Sequence, residues 1–186
     1  MLFRSVDFLK IENNRFYNNC VGVFFGGYAS YNHNDLRVIN NTFNGQYRQV
    51  YFQYTKKPII TGNILNDGLR YGIFLYYCLN DAQIQKNKVF SASYNYYGIY
   101  LLYTDGAIAN RGLIANNFVS VNSSSSYNSF GIKLDYCNYQ RIFFNTSKIS
   151  GSGNGSAAHI YLGSNIQMAN NIYYSVGSDT YTLATQ

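Results

Sequence analysis

The stretch Leu36-Arg37-Val38-Ile39-Asn40-Asn41-Thr42-Phe43 repeats the pattern of Leu9-Lys10-Ile11-Glu12-Asn13-Asn14-Arg15-Phe16. Both octapeptides alternate apolar and polar residues, then carry a pair of asparagines and end on a phenylalanine. An asparagine in the second position of that pair recurs at intervals of 22 to 30 residues, as Asn14, Asn41, Asn63, Asn87, Asn117, Asn145 and Asn171. A drifting period in the twenties, with strand-like alternation inside each unit, predicts a solenoid of stacked coils.

A second repeated element lies between successive asparagines. Its most regular copies have the form Gly-Ile-x-Leu and are Gly72–Leu75, Gly98–Leu101 and Gly131–Leu134. Because side chains alternate along a strand, the apolar second and fourth positions point inward and the third points outward. We align His159-Ile160-Tyr161-Leu162 with this element, which gives His159 a surface or turn position and places Tyr161 outward.

The two elements together predict an all-β fold, a parallel β-helix of about seven rungs that forms one domain over residues 1–186. Apolar residues make up 47% of the chain, enough to fill a continuous core, so disorder is not expected. The repeat is already present at Leu9 and still present at Leu183. We therefore expect this domain to be part of a longer chain.

The recurring asparagine has a mechanical interpretation. A sharp turn between two strands of a coil often needs a residue in the left-handed αL region, which Asn tolerates better than other non-glycine residues. We expect the seven asparagines to occupy this turn. We also expect each side-chain amide to bond to its equivalents on the neighbouring rungs, so that the column forms a structural ladder.

The sequence Ile/Val-x-Asn-Asn-x-Phe followed by Gly-Ile-Tyr-Leu, best seen at Val38–Phe43 and Gly98–Leu101, resembles the repeat of pectin-lyase-like proteins. That superfamily has a right-handed parallel β-helix fold. With Asn170–Tyr173 and its many Tyr and Ser residues, the chain is similar to repeat proteins secreted by Bacteroidetes-type bacteria. The resemblance implies a right-handed coil and an extracellular or cell-surface location. It does not define a function, because such coils include lyases, hydrolases, adhesins and non-catalytic surface proteins.

The catalytic motifs of these enzymes are missing from the chain. Polygalacturonase-like hydrolases share Asn-Thr-Asp, Asp-Asp, Gly-His-Gly and Arg-Ile-Lys motifs, whereas Asn145-Thr146-Ser147 lacks the acid and the other three have no counterpart. Pectate-lyase-like enzymes need several acidic calcium ligands, whereas the eight acidic residues here fall in different frames. The remaining catalytic candidates are Lys133 and Asp135, which face outward on one strand and could act on the proton beside a uronate carboxyl.

Aromatic side chains dominate the outward position of the second element. That position reads Phe24, Tyr51, Phe74, Tyr100, Lys133 and Tyr161. Rungs of a parallel coil lie about 4.8 Å apart, so these side chains form a stripe along the coil. We expect the stripe to bind an extended polysaccharide, with sugar faces stacked on the rings and Lys133 meeting a carboxylate.

These observations favour a non-catalytic extracellular module of a bacterial carbohydrate-associated or adhesive surface protein, without cofactor or metal. The alternative is a pectate-lyase-like polysaccharide lyase or a glycoside hydrolase acting on an acidic polysaccharide, with calcium as the cofactor of the lyase. The +6 charge is scattered, with Lys56-Lys57 as its only adjacent pair, so nucleic acid is not an expected partner. No apolar run reaches 18 residues, so no membrane span is expected. Open strand edges at the coil ends predict end-to-end self-association or contact with adjoining domains.

Overall fold

The computed structural model describes residues 8–29, 33–93, 95–123, 128–152, 154–177 and 180–185. These residues form twenty-three strands and no helix. The described part of the chain therefore contains no helical segment that could cross a membrane. Twenty-one of the described strands belong to three parallel sheets of seven strands each, and the other two form a short pair.

Each rung contributes one strand to each of the three sheets. The first sheet contains β1 (Lys10–Glu12), β5 (Arg37–Ile39), β9 (Ile59–Thr61), β12 (Gln83–Gln85), β15 (Gly112–Ala115), β18 (Gln140–Phe143) and β21 (Gln167–Ala169). The second contains β2 (Arg15–Tyr17), β6 (Thr42–Asn44), β10 (Ile64–Asn66), β13 (Lys88–Ser91), β16 (Phe118–Ser123), β19 (Thr146–Gly151) and β22 (Ile172–Val176). The third contains β3 (Val21–Gly26), β7 (Arg48–Gln53), β11 (Tyr71–Tyr76), β14 (Tyr97–Leu102), β17 (Ser129–Asp135), β20 (Gly155–Tyr161) and β23 (Thr180–Thr185). The short pair is β4 (His33–Asn34) with β8 (Thr55–Lys56).

Every strand of the three sheets pairs in parallel with its equivalent on the next rung. Ile99 of β14, for example, lies between Ile73 of β11 and Ile132 of β17. The inward leucines Leu75, Leu101 and Leu134 are completely buried. The stacked apolar side chains therefore form one continuous core along the coil axis. The predicted all-β fold, a right-handed parallel β-helix, is confirmed, with about six complete turns between the first and last strands of a sheet.

A ladder of hydrogen bonds joins the recurring asparagines at the turn between the first and second sheets. From Asn41 to Asn171, the Oδ1 atom of each one accepts from the backbone N–H of its equivalent on the preceding rung, at 2.8–3.0 Å. The same Oδ1 accepts from the preceding Nδ2 at 2.9–3.2 Å. Nδ2 also donates to a main-chain carbonyl of the preceding rung, as Asn87 does to Ile60. The amides of the central rungs are buried and satisfied on both sides, as a buried polar group requires.

The expectation that these asparagines occupy the αL turn is wrong. The residue with positive φ is the one that precedes the ladder asparagine on each rung, namely Asn13, Asn40, Gly62, Lys86, Asn116, Phe144 and Asn170. The preceding residue turns the chain, and this reversal aims the side chain of the ladder asparagine into the coil. Lys86 and Phe144 show that the αL turn accepts residues other than Asn and Gly here, because the ladder bonds on either side hold it in place.

The alignment of His159–Leu162 with the second repeated element is also wrong, by two residues. In the structure Lys133 pairs with His159, and Asp135 pairs with Tyr161. Ile160 pairs with Leu134 and fills the core, whereas Leu162 lies outside at the following corner, half exposed and with positive φ. Tyr161 therefore does not belong to the outward stripe, and His159 takes its place.

We expect Asn87→Ala to destabilise the fold strongly. The change removes the acceptor of the Asn63 backbone and side-chain N–H groups and the donor to the Ile60 carbonyl, all of them buried. Asn117 loses one of its two donors. Since each buried polar group left unpaired costs about 1–3 kcal/mol, the free energy of unfolding should fall by about 3 kcal/mol or more. Urea denaturation of this variant and of the exposed control Asn122→Ala measures the difference. Equal losses in the two variants would show that the ladder does not stabilise the coil.

Candidate functional site

The outer face of the third sheet carries the predicted stripe. Its first four members, Phe24, Tyr51, Phe74 and Tyr100, form a continuous stack that we call the aromatic ladder. Neighbouring ring centroids in this ladder lie 5.0–5.1 Å apart, with interplanar angles of 8–26°. Because β3, β7, β11 and β14 are in register, each ring lies directly over the next.

A second column of rings flanks the aromatic ladder. Tyr71, Tyr97 and Phe130 stack with centroids 5.2 and 5.3 Å apart. Tyr71 also packs on Phe74, and Tyr97 packs on Tyr100, at 4.8 and 5.1 Å. The two columns therefore cover the middle of the sheet with a continuous layer of rings, which we call the ring carpet.

This packing changes how the stripe can bind. Phe24 is 53% exposed, but Phe74 and Tyr100 retain only 8% and 9% exposure. In a stack running along the coil axis, the faces of the inner rings are occupied by neighbouring rings, so only their edges turn outward. The expectation that sugar faces stack along the whole stripe is not supported in its middle, since that contact needs a free ring face.

Two arginines lie on the ring carpet. The guanidinium carbon of Arg48 is 4.9 Å from the Tyr51 centroid and 5.8 Å from that of Tyr71. The guanidinium carbon of Arg70 is 5.4 Å from the Tyr71 centroid and 5.1 Å from the Tyr97 centroid. Among the described residues neither arginine is within ion-pair distance of a carboxylate. The rings hold the two charges in place and leave them uncompensated.

Lys133 and Asp135 form an ion pair at the end of the aromatic ladder. Lys133 Nζ is 2.8 Å from Asp135 Oδ2, and the two side chains are only 16% and 10% exposed. The ammonium also lies 4.7 Å from the Phe130 centroid and 5.2 Å from that of Tyr100. The Tyr100 hydroxyl donates to the same Oδ2 at 2.8 Å. The lysine ammonium is therefore held by a carboxylate and by rings.

His159 is the residue of this site that the sequence alignment missed. Its ring packs edge-on against Phe130, with centroids 5.1 Å apart. Neither Nδ1 nor Nε2 has a hydrogen-bond partner among the described residues, and both atoms are shielded from solvent. Burial lowers the pKa of His159, the Lys133 charge lowers it further, and Asp135 opposes them. The imidazole is therefore neutral at physiological pH, with one donor and one acceptor.

Burial also raises the pKa of Tyr100, and its hydrogen bond to Asp135 raises it further. Tyr100 thus remains a hydrogen-bond donor to the carboxylate over the whole physiological pH range. The part of the chain that the structure describes contains no group of three or more His, Cys, Asp or Glu side chains that could hold a metal ion. The site therefore consists of rings, two arginines without a carboxylate partner among the described residues, one closed ion pair and a neutral imidazole.

A family model described as "Right handed beta helix region" matches residues 2–114, which is more than half of the chain. The match covers the rungs of the aromatic ladder and ends before Lys133, Asp135 and His159. No curated protein and no solved structure was found to match the chain.

We expect Tyr100→Phe to lower stability while leaving the aromatic stack intact. The variant keeps the ring but removes one of the partners of the Asp135 carboxylate, whose Oδ1 already has no partner among the described residues. A hydrogen bond to a charged group contributes about 1.5–3 kcal/mol, so the free energy of unfolding should fall by a similar amount. Tyr17→Phe, at an exposed tyrosine, is the control for denaturation. A change no larger than that of the control would contradict a structural role for this hydroxyl.

His159 should make the stability of the coil depend on pH. Its pKa in the folded protein lies below the unfolded value of about 6.5, so the unfolded chain takes up the proton first as the pH falls. The contribution of His159 to stability is therefore complete above about pH 6.5 and decreases as the pH falls below that value. His159→Gln should flatten the wild-type decrease in the free energy of unfolding between about pH 7.5 and 5.5. A pH profile of the variant that runs parallel to that of the wild type would show that His159 is not coupled to folding.

Proposed function

This chain belongs to the right-handed β-helix family, and on that basis we propose that it is a non-catalytic module that binds an acidic polysaccharide along the outer face of its third sheet. An extracellular or cell-surface location, in an adhesive or carbohydrate-associated protein, is part of the proposal. The observation that carries it is the position of Arg48 and Arg70 on the ring carpet without a carboxylate partner among the described residues.

The arginines have the geometry of a polyanion-binding surface. They belong to adjacent rungs, since Arg48 pairs in register with Tyr71, the residue that follows Arg70. Adjacent rungs lie about 4.8 Å apart, so the two charges repeat along the coil axis in the direction an extended polymer would follow. A guanidinium forms paired hydrogen bonds with a carboxylate, and its support by the rings reduces the entropy lost on binding.

The packing of the rings favours a polymer that lies along the surface over a sugar that inserts between them. In the middle of the sheet the rings turn their edges outward, where they can contact the sides of sugar rings. Lys133, by contrast, is paired with Asp135 and mostly buried, so the arginines are better placed to meet a carboxylate. The same pairing supports a binding role over proton abstraction by Lys133.

The proposal is tested by titrating oligogalacturonate into the wild type and into a variant carrying both Arg48→Gln and Arg70→Gln. A charge-assisted hydrogen bond contributes about 1.5–3 kcal/mol, so the affinity of the double variant should fall at least tenfold. Arg37→Gln, an exposed arginine on the first sheet, is the matched control and should bind like the wild type. Binding to the wild type should also weaken with salt.

Three outcomes would overturn the proposal. One is the absence of oligogalacturonate binding to the wild type, and another is equal affinity in the double variant. The third is the appearance of unsaturated uronate absorbance in the titrated samples, because that product shows cleavage by a lyase and would make the module an enzyme.

A further inference from the structure

The ring carpet is interrupted near the last rungs. In the flanking column Tyr71, Tyr97 and Phe130 follow one another, but the next position is Ser156, and the one after it is Tyr181. The neighbouring column changes in the same way, since His159 is followed by Ala184. Two small side chains thus stand where the preceding rungs carry large ones.

A cleft opens at this interruption. Its volume is about 360 Å³, and it is lined by Asn128, Phe130, Asn154, Gly155, Ser156, His159, Tyr181 and Ala184. This volume lies within the range of ligand sites of about 300–1,000 Å³, at the end suited to a single small ring. Phe130 and Tyr181 are two rungs apart, a separation of about 10 Å that leaves the place of one ring empty between them.

The ring surfaces in the cleft differ from those of the aromatic ladder. Tyr181 is 64% exposed and has a serine rather than a ring on the rung before it. Phe130 is buried, because Tyr97, His159 and Lys133 all contact its ring. A sugar ring placed beside Ser156 would therefore find its open stacking face on Tyr181.

The polar groups that the described residues contribute to the cleft are uncharged. Asn128 and Asn154 are exposed amides, and the Ser156 hydroxyl lies on the floor. The His159 imidazole has no hydrogen-bond partner among the described residues for either nitrogen. Exposed amides and hydroxyls both donate and accept, which matches the hydroxyl groups of a sugar, and the described lining offers no cation to a carboxylate.

We infer that this cleft is a subsite for one uncharged pyranose ring, which occupies the place of the missing ring beside Ser156 and stacks on Tyr181. The inference deepens the proposed function and rests on it: the arginines bind the charged units of a polysaccharide, and the cleft binds a neutral unit. Specificity for a polymer with both kinds of sugar follows from the two subsites.

The test uses neutral tetrasaccharides of glucan, mannan and xylan, titrated separately into the wild type, Tyr181→Ala and Ser156→Phe. The first variant removes the open ring wall, and the second fills the cleft with a ring. Tyr174→Ala removes a similarly exposed tyrosine from the outer face of the second sheet and is the control. NMR of the bound sugar reports stacking directly, because the C–H protons over a ring face shift upfield.

At least one neutral tetrasaccharide should bind the wild type and the control, with upfield shifts that are absent in Tyr181→Ala. Loss of a ring contact worth about 0.5–1.5 kcal/mol should weaken the affinity of Tyr181→Ala about two- to tenfold. Ser156→Phe should abolish binding of the neutral sugar and leave oligogalacturonate binding intact. A circular dichroism spectrum like that of the wild type shows that each variant is folded.

The possible failures are distinguishable. Suppose that oligogalacturonate binds through Arg48 and Arg70. If no neutral tetrasaccharide binds, or if the cleft variants bind a neutral tetrasaccharide like the wild type, the subsite is refuted and the proposed function stands. If the cleft variants instead lose oligogalacturonate, the neutral character of the subsite is refuted. If no sugar of either kind binds the wild type, both proposals fail.

Discussion

The hydrogen-bonded asparagine ladder is the constraint on which the rest of this coil depends. A parallel strand can satisfy its backbone bonds in several registers, and each shift by one residue turns its apolar side chains outward. A buried amide that must meet its equivalents above and below at about 3 Å allows only one of these registers. With that turn fixed, the isoleucines and leucines of successive rungs lie over one another and the core is continuous.

The same register that stabilises the coil also determines what its surface can bind. Residues at equivalent positions lie over one another, so a repeated outward aromatic residue becomes a stack that buries its own faces. Such stacking stabilises the third sheet but removes the ring faces from solvent in the middle of the ladder. The proposed binding therefore rests on departures from the repeat, which are the two arginines on the rings and the small side chains at Ser156 and Ala184.

Much of the fold could be predicted from the sequence because the signal is repeated. The ladder positions and the inward Ile and Leu residues follow from the period, and the structure places them as the pattern indicates. The sequence pattern predicts the αL conformation at the ladder asparagine, but the structure has it at the preceding residue, because an Asn-Asn pair does not reveal which member turns the chain. The pairs Lys86-Asn87 and Phe144-Asn145 indicate that the first member turns the chain, since only the second residue of each pair is invariably Asn in this chain.

The candidate site was harder to predict, because it lies where the repeat changes. The alignment of Tyr161 with Lys133 followed from matching Ile160 and Leu162 to an Ile-x-Leu pattern. The distance to the next ladder asparagine favours the correct alignment. On the five preceding rungs the inward residue of this strand lies 11 to 16 residues before the ladder asparagine, and Ile160 lies 11 before Asn171 whereas Leu162 lies only 9 before it. The burial of the stripe had no sequence signal, since it depends on how flanking rings from neighbouring positions pack over Phe74 and Tyr100.

The uneven length of the rungs has an evolutionary consequence. The ladder asparagines are separated by as few as 22 and as many as 30 residues, yet the bonds between them keep the same length. Additional residues are therefore accommodated in the connections, where the entropic cost of a longer loop grows slowly. Since a rung contacts little beyond its two neighbours, duplication or deletion of one repeat in the gene would lengthen or shorten the coil without a new core. Selection can then act on single rungs, and a cleft such as the one at Ser156 can arise by altering one copy while the others maintain the fold.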